Sequence, residues 1–144
     1  NAFTLFEAMA EEIPEQEKRL EKSLDILQKI RLSKENSSVM IIAGLTSCFR
    51  KLLLWHKLRV QGQNDDFNLK INGFASKKLK TQYSKAANHW TSGQTTAILA
   101  DLATSDMEIR SSGTLLEDTI LQKLIYEIIV KKGATCASYD FSNK

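Results

Sequence analysis

Cys48 and His56 stand eight residues apart, two helical turns, and a thiol beside an imidazole is the smallest set from which a nucleophilic enzyme is built. The stretch around them is apolar, however, so Cys48 reads as a small core residue and His56 as a core or interface histidine. His89, the other histidine, has no second ligand or carboxylate at helical spacing, and neither histidine suggests a metal pair. Asp65 and Asp66 with Asn64 and Asn68 have the oxygen ligands of a calcium loop, but no glycine falls at its turn position and no Glu closes it. No G-x-x-x-x-G-K-[ST] loop is present to cradle a nucleotide triphosphate. The remaining chemistry is electrostatic. Lys77, Lys78, Lys80 and Lys85, with Tyr83 among them, could follow a phosphate backbone or simply form a solvated helix face. The chain is therefore expected to be non-catalytic, with no cofactor, metal or small-molecule substrate.

The elements that must position these residues are helical. In 144 residues there is one proline and there are six glycines, while Leu, Ile, Lys, Glu and Ala abound, which favours an all-α fold of about five to six helices in one domain. A chain of this length buries roughly 68–70% of its unfolded surface without help from disulfide or metal. The net charge of +3 is too mild to mark a dedicated nucleic-acid binder. Cys48 and Cys136 match no metal or redox spacing, which points to reduced thiols and a cytoplasmic setting. No apolar run is expected to reach the roughly 18–20 residues of a membrane span, and no leader opens the chain. A start at Asn1 rather than Met suggests a segment of a longer protein.

Gly73, Gly93, Gly113 and Gly133 recur at twenty-residue intervals and are read as punctuation between helices, not as a repeat. A short helix is expected over Ala2–Ala10. A second runs from Pro14 at its first position to Arg31, with Leu20, Leu24, Leu27 and Ile30 as its buried stripe. Val39–Val60 is the longest and most apolar element. Leu52, Leu53, Leu54, Trp55 and Leu58 make its second half apolar almost all round, so a second subunit could cover part of it. Residues 61–73 suggest a loop with one helical turn, Phe67, Leu69 and Ile71 alternating as a strand would.

Ser76–Trp90 is helical, with Leu79, Tyr83, Ala86, Ala87 and Trp90 inside. After Gly93 a helix of about fifteen residues carries Ile98, Leu102, Ser105 and Ile109. Thr114 with Glu117 fits a capping box for the last helix, whose buried positions include Leu116, Ile120 and Leu121 and which ends at Lys131-Lys132-Gly133. The domain is expected to span 1–133, with 134–144 as a mobile tail.

Three segments in order resemble the C-terminal collar domain of the delta subunit of bacterial DNA polymerase III clamp loaders. These are Asn1–Met9; Leu45–Leu53 with its Phe49-Arg50-x-Leu52 centre; and Ala86–Trp90 followed by Leu99–Leu102 and Asp106–Gly113. The chain departs from that pattern at 61–74, which is richer in Asn and Asp. The resemblance implies a helical domain that assembles beside the delta-prime and tau/gamma subunits into a five-membered ring and holds the loader together without opening the clamp. Candidate partner-interface residues are Phe49, Arg50, Leu53, Leu54, Trp55, Asp106 and Arg110. A nucleic-acid module using Lys77, Lys78, Lys80 and Lys85 is the alternative.

Overall fold

Seven α-helices and no strand make up residues 1–34 and 36–134, the part of the chain that the computed structural model describes; the expected tail beyond Ala134, with Cys136, lies outside it. In order they are α1 (Ala2–Met9), α2 (Gln16–Ser33), α3 (Ser38–Val60), α4 (Asp66–Ile71), α5 (Lys77–His89), α6 (Ser92–Ser112) and α7 (Glu117–Tyr126). A 3-10 turn, Thr114–Leu116, leads into α7, and a π-helical segment, Glu127–Lys131, continues from it. The expected all-α fold is the one observed.

Helix α3 is the hub. It packs against α1, α5 and α6, while α2 packs against α1 and α7, and α7 closes onto α6. Phe49 of α3 meets Phe6 of α1 and Trp90 at the end of α5 edge-on, each with ring centroids 5.1 Å apart. Trp55 and Tyr83 flank Phe74 in the same manner, at 5.1 and 5.4 Å. Such pairs add about 0.5–1.5 kcal/mol each beyond the apolar area they bury. The indole N–H of Trp90 donates to the Ile128 carbonyl at 2.9 Å, one of the last-turn carbonyls that the helix itself leaves without a partner. By length and composition α3 is apolar enough to cross a membrane, contrary to expectation, yet its Ile41, Leu45, Phe49 and Leu52 face are packed inside the bundle. It is a core helix.

Several boundaries differ from the sequence reading. Pro14 lies ahead of α2, whose N-cap is Glu15. Along the first half of α2 the buried side is Arg19 and Ser23, with Leu20 and Leu24 only half-buried, a rotation of one residue. The cause is local. Arg19, 2% exposed, donates from Nε to the Met9 carbonyl at 2.9 Å and from Nη1 to the Ile13 carbonyl at 3.0 Å, closing the turn after α1. Its Nη2 is buried with no partner among the described residues, and burial lowers the pKa of the guanidinium.

Gly93 does not punctuate: Thr91 and Gln94 form a reciprocal capping box, so α6 starts at Ser92 and runs 21 residues, taking Gly93 into its first turn. The capping box expected at Thr114 does not form. Glu117 is drawn instead to the Ser38 hydroxyl and, at 3.5 Å, to Arg31 Nη1, leaving Thr114–Leu116 as a 3-10 turn with Leu116 51% exposed rather than buried. In 61–74 the helical turn is α4, capped by Asp65. Of the three alternating residues Leu69 alone is buried, with Phe67 69% and Ile71 63% exposed, so the alternation is not a strand.

Phe49→Ala should cost about 3–5 kcal/mol in a denaturant melt, since the ring is enclosed by the chain's own side chains. Gly133 has φ +74°, and a Cβ placed on it would lie 2.6 Å from Ala97 Cβ, whereas Gly62, φ +69°, faces open space. Gly62→Ala should therefore destabilise by about 1 kcal/mol, and Gly133→Ala by roughly 1–3 kcal/mol more. Equal melting shifts for the two would refute the close packing of Gly133 on α6.

Candidate partner interface

Helices α3 and α6 run antiparallel, and the side chains that tie their two ends show it. At one end His56 Nε2, late in α3, donates to the Trp90 carbonyl at 2.8 Å, just ahead of α6. At the other, Ser38 at the start of α3 meets Glu117, shortly after α6 ends. Arg31 completes that junction by donating to Ser38 Oγ and, from Nε, to Asp118 Oδ1 at 2.9 Å.

Between the two helices lies an open groove of about 470 Å³. Its floor is Ile42 and Leu102, both buried, with half-buried Val39 and Leu99; the small side chains of Ala43 and Ala103 keep it shallow. Arg50 is exposed on its α3 wall. On the α6 wall Arg110 Nε donates to Asp106 Oδ2 at 2.9 Å, an i,i+4 ion pair. From Val39 to Arg50 the groove is about 16 Å long, three helical turns. Such a surface offers apolar contact along its floor and a guanidinium at its edge, which suits a helix from another chain.

The sequence-derived candidates thus divide. Arg50, Asp106 and Arg110 come together on this groove. Phe49 and Trp55 do not: both are buried in the chain's own core and offer no surface to a neighbour. Leu54 is half-buried against that core, and Leu53 borders a separate apolar depression of about 300 Å³ with His56, Lys57 and Val60. The excess apolar character of α3 is absorbed by α5, Leu69 and Phe74 of the same chain; Val60, 87% exposed, is the exception at its end.

The lysines divide as well. Lys77, Lys78 and Lys85 line a cleft of about 410 Å³ between α5 and the end of α1, where Glu7 and Glu11 also stand. Lys80 turns away to Asp66, 3.1 Å distant. Carboxylates among the lysines cut the field a phosphate backbone would meet.

The nucleophile and base candidates are engaged elsewhere. Cys48 is buried, hydrogen-bonded to Tyr83, and its thiol is pushed up to about 11, chiefly by burial. At neutral pH it is a thiol, not a nucleophilic thiolate. Burial also lowers the pKa of His56, and of His89, whose Nε2 donates to the Glu11 carbonyl. Among the described residues no group of three or more His, Cys, Asp or Glu side chains could hold a metal ion. Sequence reasoning missed a polar groove of about 310 Å³ between α6 and α7 that carries Asp101, Glu108 and Glu127. Burial, then Asp101, raises the Glu127 carboxyl above its usual range. The three carboxylates come from two helices, so no sequence spacing announces them.

No protein-family model and no solved structure matches the chain. A protein of Treponema pallidum (strain Nichols), described as an uncharacterized protein, is 44% identical to it over 52 residues, which are 36% of this chain and 68% of that protein. The chain belongs to that protein's family. The description of this Treponema family member names no reaction, ligand or partner, so geometry carries the functional argument.

Because both histidines have folded pKa values below 6.5, the unfolded chain binds more protons between the two values, and stability falls as pH drops through 6.5 toward the folded pKa. Glu127, with its raised pKa, acts in the opposite sense in the range above its usual 4.5. Denaturant midpoints between pH 7.5 and 5.5 should therefore decline for the wild type and flatten for His56→Gln/His89→Gln. An unchanged slope in the double variant would remove the histidines as its source.

Proposed function

We propose that this chain is a non-catalytic oligomerisation domain of collar type, from the delta subunit of a bacterial DNA polymerase III clamp loader. In that role it sits beside the delta-prime and tau/gamma subunits in the cytoplasm and holds the loader ring together while a sliding clamp is placed on DNA.

The observation that carries this reading is where the resembling segments converge. Phe6 comes from the first, Phe49 from the second and Trp90 from the third, and their rings form one cluster. The polar members of the same segments, Arg50, Asp106 and Arg110, collect instead on one outer groove. One set of motif residues therefore builds the core and the other meets solvent, the division expected of a domain whose task is to fold and to be held by neighbours. The engaged states of Cys48, His56 and His89 favour a non-catalytic role.

Mixed with delta-prime and tau/gamma subunits from its own source, the purified chain should co-elute with them in size-exclusion chromatography with light scattering, at moderate salt and after nuclease treatment. Lys77→Gln/Lys78→Gln/Lys85→Gln should leave that co-elution unchanged. Separate elution of the wild-type chain across a salt series would sink the proposal. Steeply salt-dependent DNA affinity, abolished by the triple variant, would move the function to the α1/α5 cleft.

A further inference from the structure

Among the described residues the α3/α6 groove carries one cation in excess, since Asp106 offsets Arg110 while Arg50 stands exposed with no carboxylate paired to it. A different surface of the bundle has the converse character. The α2/α7 pair borders a depression of about 500 Å³ where Glu21, Asp25 and Asp118 accompany half-buried Leu24 and exposed Leu32. Lys29 and Arg31 pair with Asp25 and Asp118, which leaves Glu21 in excess. The two surfaces share no residue.

We infer that the domain is a head-to-tail building block, whose α3/α6 groove receives from the neighbouring subunit an amphipathic helix of the kind this chain displays on α2: leucines with carboxylates on the same face. The inference rests on the collar reading and adds the polarity of the assembly to it. Charge selects this occupant, because a helix bearing carboxylates satisfies Arg50 and a basic helix meets it with repulsion. Length agrees. Three turns of groove match apolar side chains spaced over about two turns, and Leu24 and Leu32 of α2 are eight residues apart, about 12 Å. Ala43 and Ala103 allow a helix to approach the floor closely. Two unlike, complementary faces make a heterologous contact, which propagates from subunit to subunit around a ring instead of pairing two copies about a twofold axis.

The test uses the chain mixed with delta-prime and tau/gamma subunits, with dissociation constants read by sedimentation or interferometry. Ala103→Arg places a bulky cation in the groove and Arg50→Glu reverses its edge. Both positions are exposed, so melting temperature should hold. Each variant should weaken association with one neighbour by about tenfold or more. Glu21→Lys/Asp25→Lys should weaken contact with the other neighbour alone. Reversing the facing carboxylate of the neighbour to Lys should restore binding to Arg50→Glu. Wild-type affinity in both groove variants, beside a wild-type chain that assembles, would overturn the groove assignment and leave the collar reading standing. Failure of the wild-type chain to bind any loader subunit would overturn both. A concentration-dependent self-association abolished by Ala103→Arg would give the groove to a second copy of this chain and overturn the assignment to a loader neighbour.

Discussion

The edge-on packing of Phe49 between Phe6 and Trp90 is the contact on which the rest of the molecule depends. It brings together α1, the middle of α3 and the end of α5, segments separated by some forty residues each way along the chain. With Trp90 fixed, its indole N–H secures the Ile128 carbonyl, and its own carbonyl receives His56. One further element, the π-helical segment, and the late part of α3 are thereby placed by one side chain and its backbone. Closely packed interiors behave this way, since a ring in contact on all sides cannot shift without moving its neighbours.

From that centre the antiparallel α3/α6 pair is held at both ends, by His56 on Trp90 and by the Ser38, Arg31 and Glu117 junction. A groove between two helices so tied keeps its width, and a surface of fixed shape loses less entropy on binding than one that must be ordered. The Ser38 junction also explains why Thr114 is not a cap: Glu117, the residue that would complete the box, is more strongly held by a guanidinium and a hydroxyl from other helices.

Much of the fold was legible because helical period and end signals are local. Ser76, where the sequence starts a helix, caps α5, and Tyr83, Ala86 and Trp90 fall inside as their spacing suggests. What escaped were effects that need two distant segments. Arg19 counts as polar in any stripe, yet it is buried because carbonyls at the end of α1 need donors there. Gly93 looks like a break until Thr91 and Gln94 cap the helix ahead of it. For the candidate interface, Arg50, Asp106 and Arg110 were identified individually, but no one-dimensional pattern could say that they share a groove. Trp55 is in excess for a single bundle only until Phe74, a buried ring just beyond the stretch that reads as loop, covers it; Phe49 is covered by Phe6 and Trp90, and only the fold shows that they meet on it.

Both tryptophans of the chain, Trp55 and Trp90, are buried and in contact with other rings. Ultraviolet emission from this domain is consequently a gauge of its interior, shielded from anything that docks on its outer faces. A neighbour seated on the α3/α6 groove leaves that signal untouched, so the native fluorophores monitor folding while an extrinsic dye on the surface monitors assembly. The two processes become separable by colour in a single cuvette.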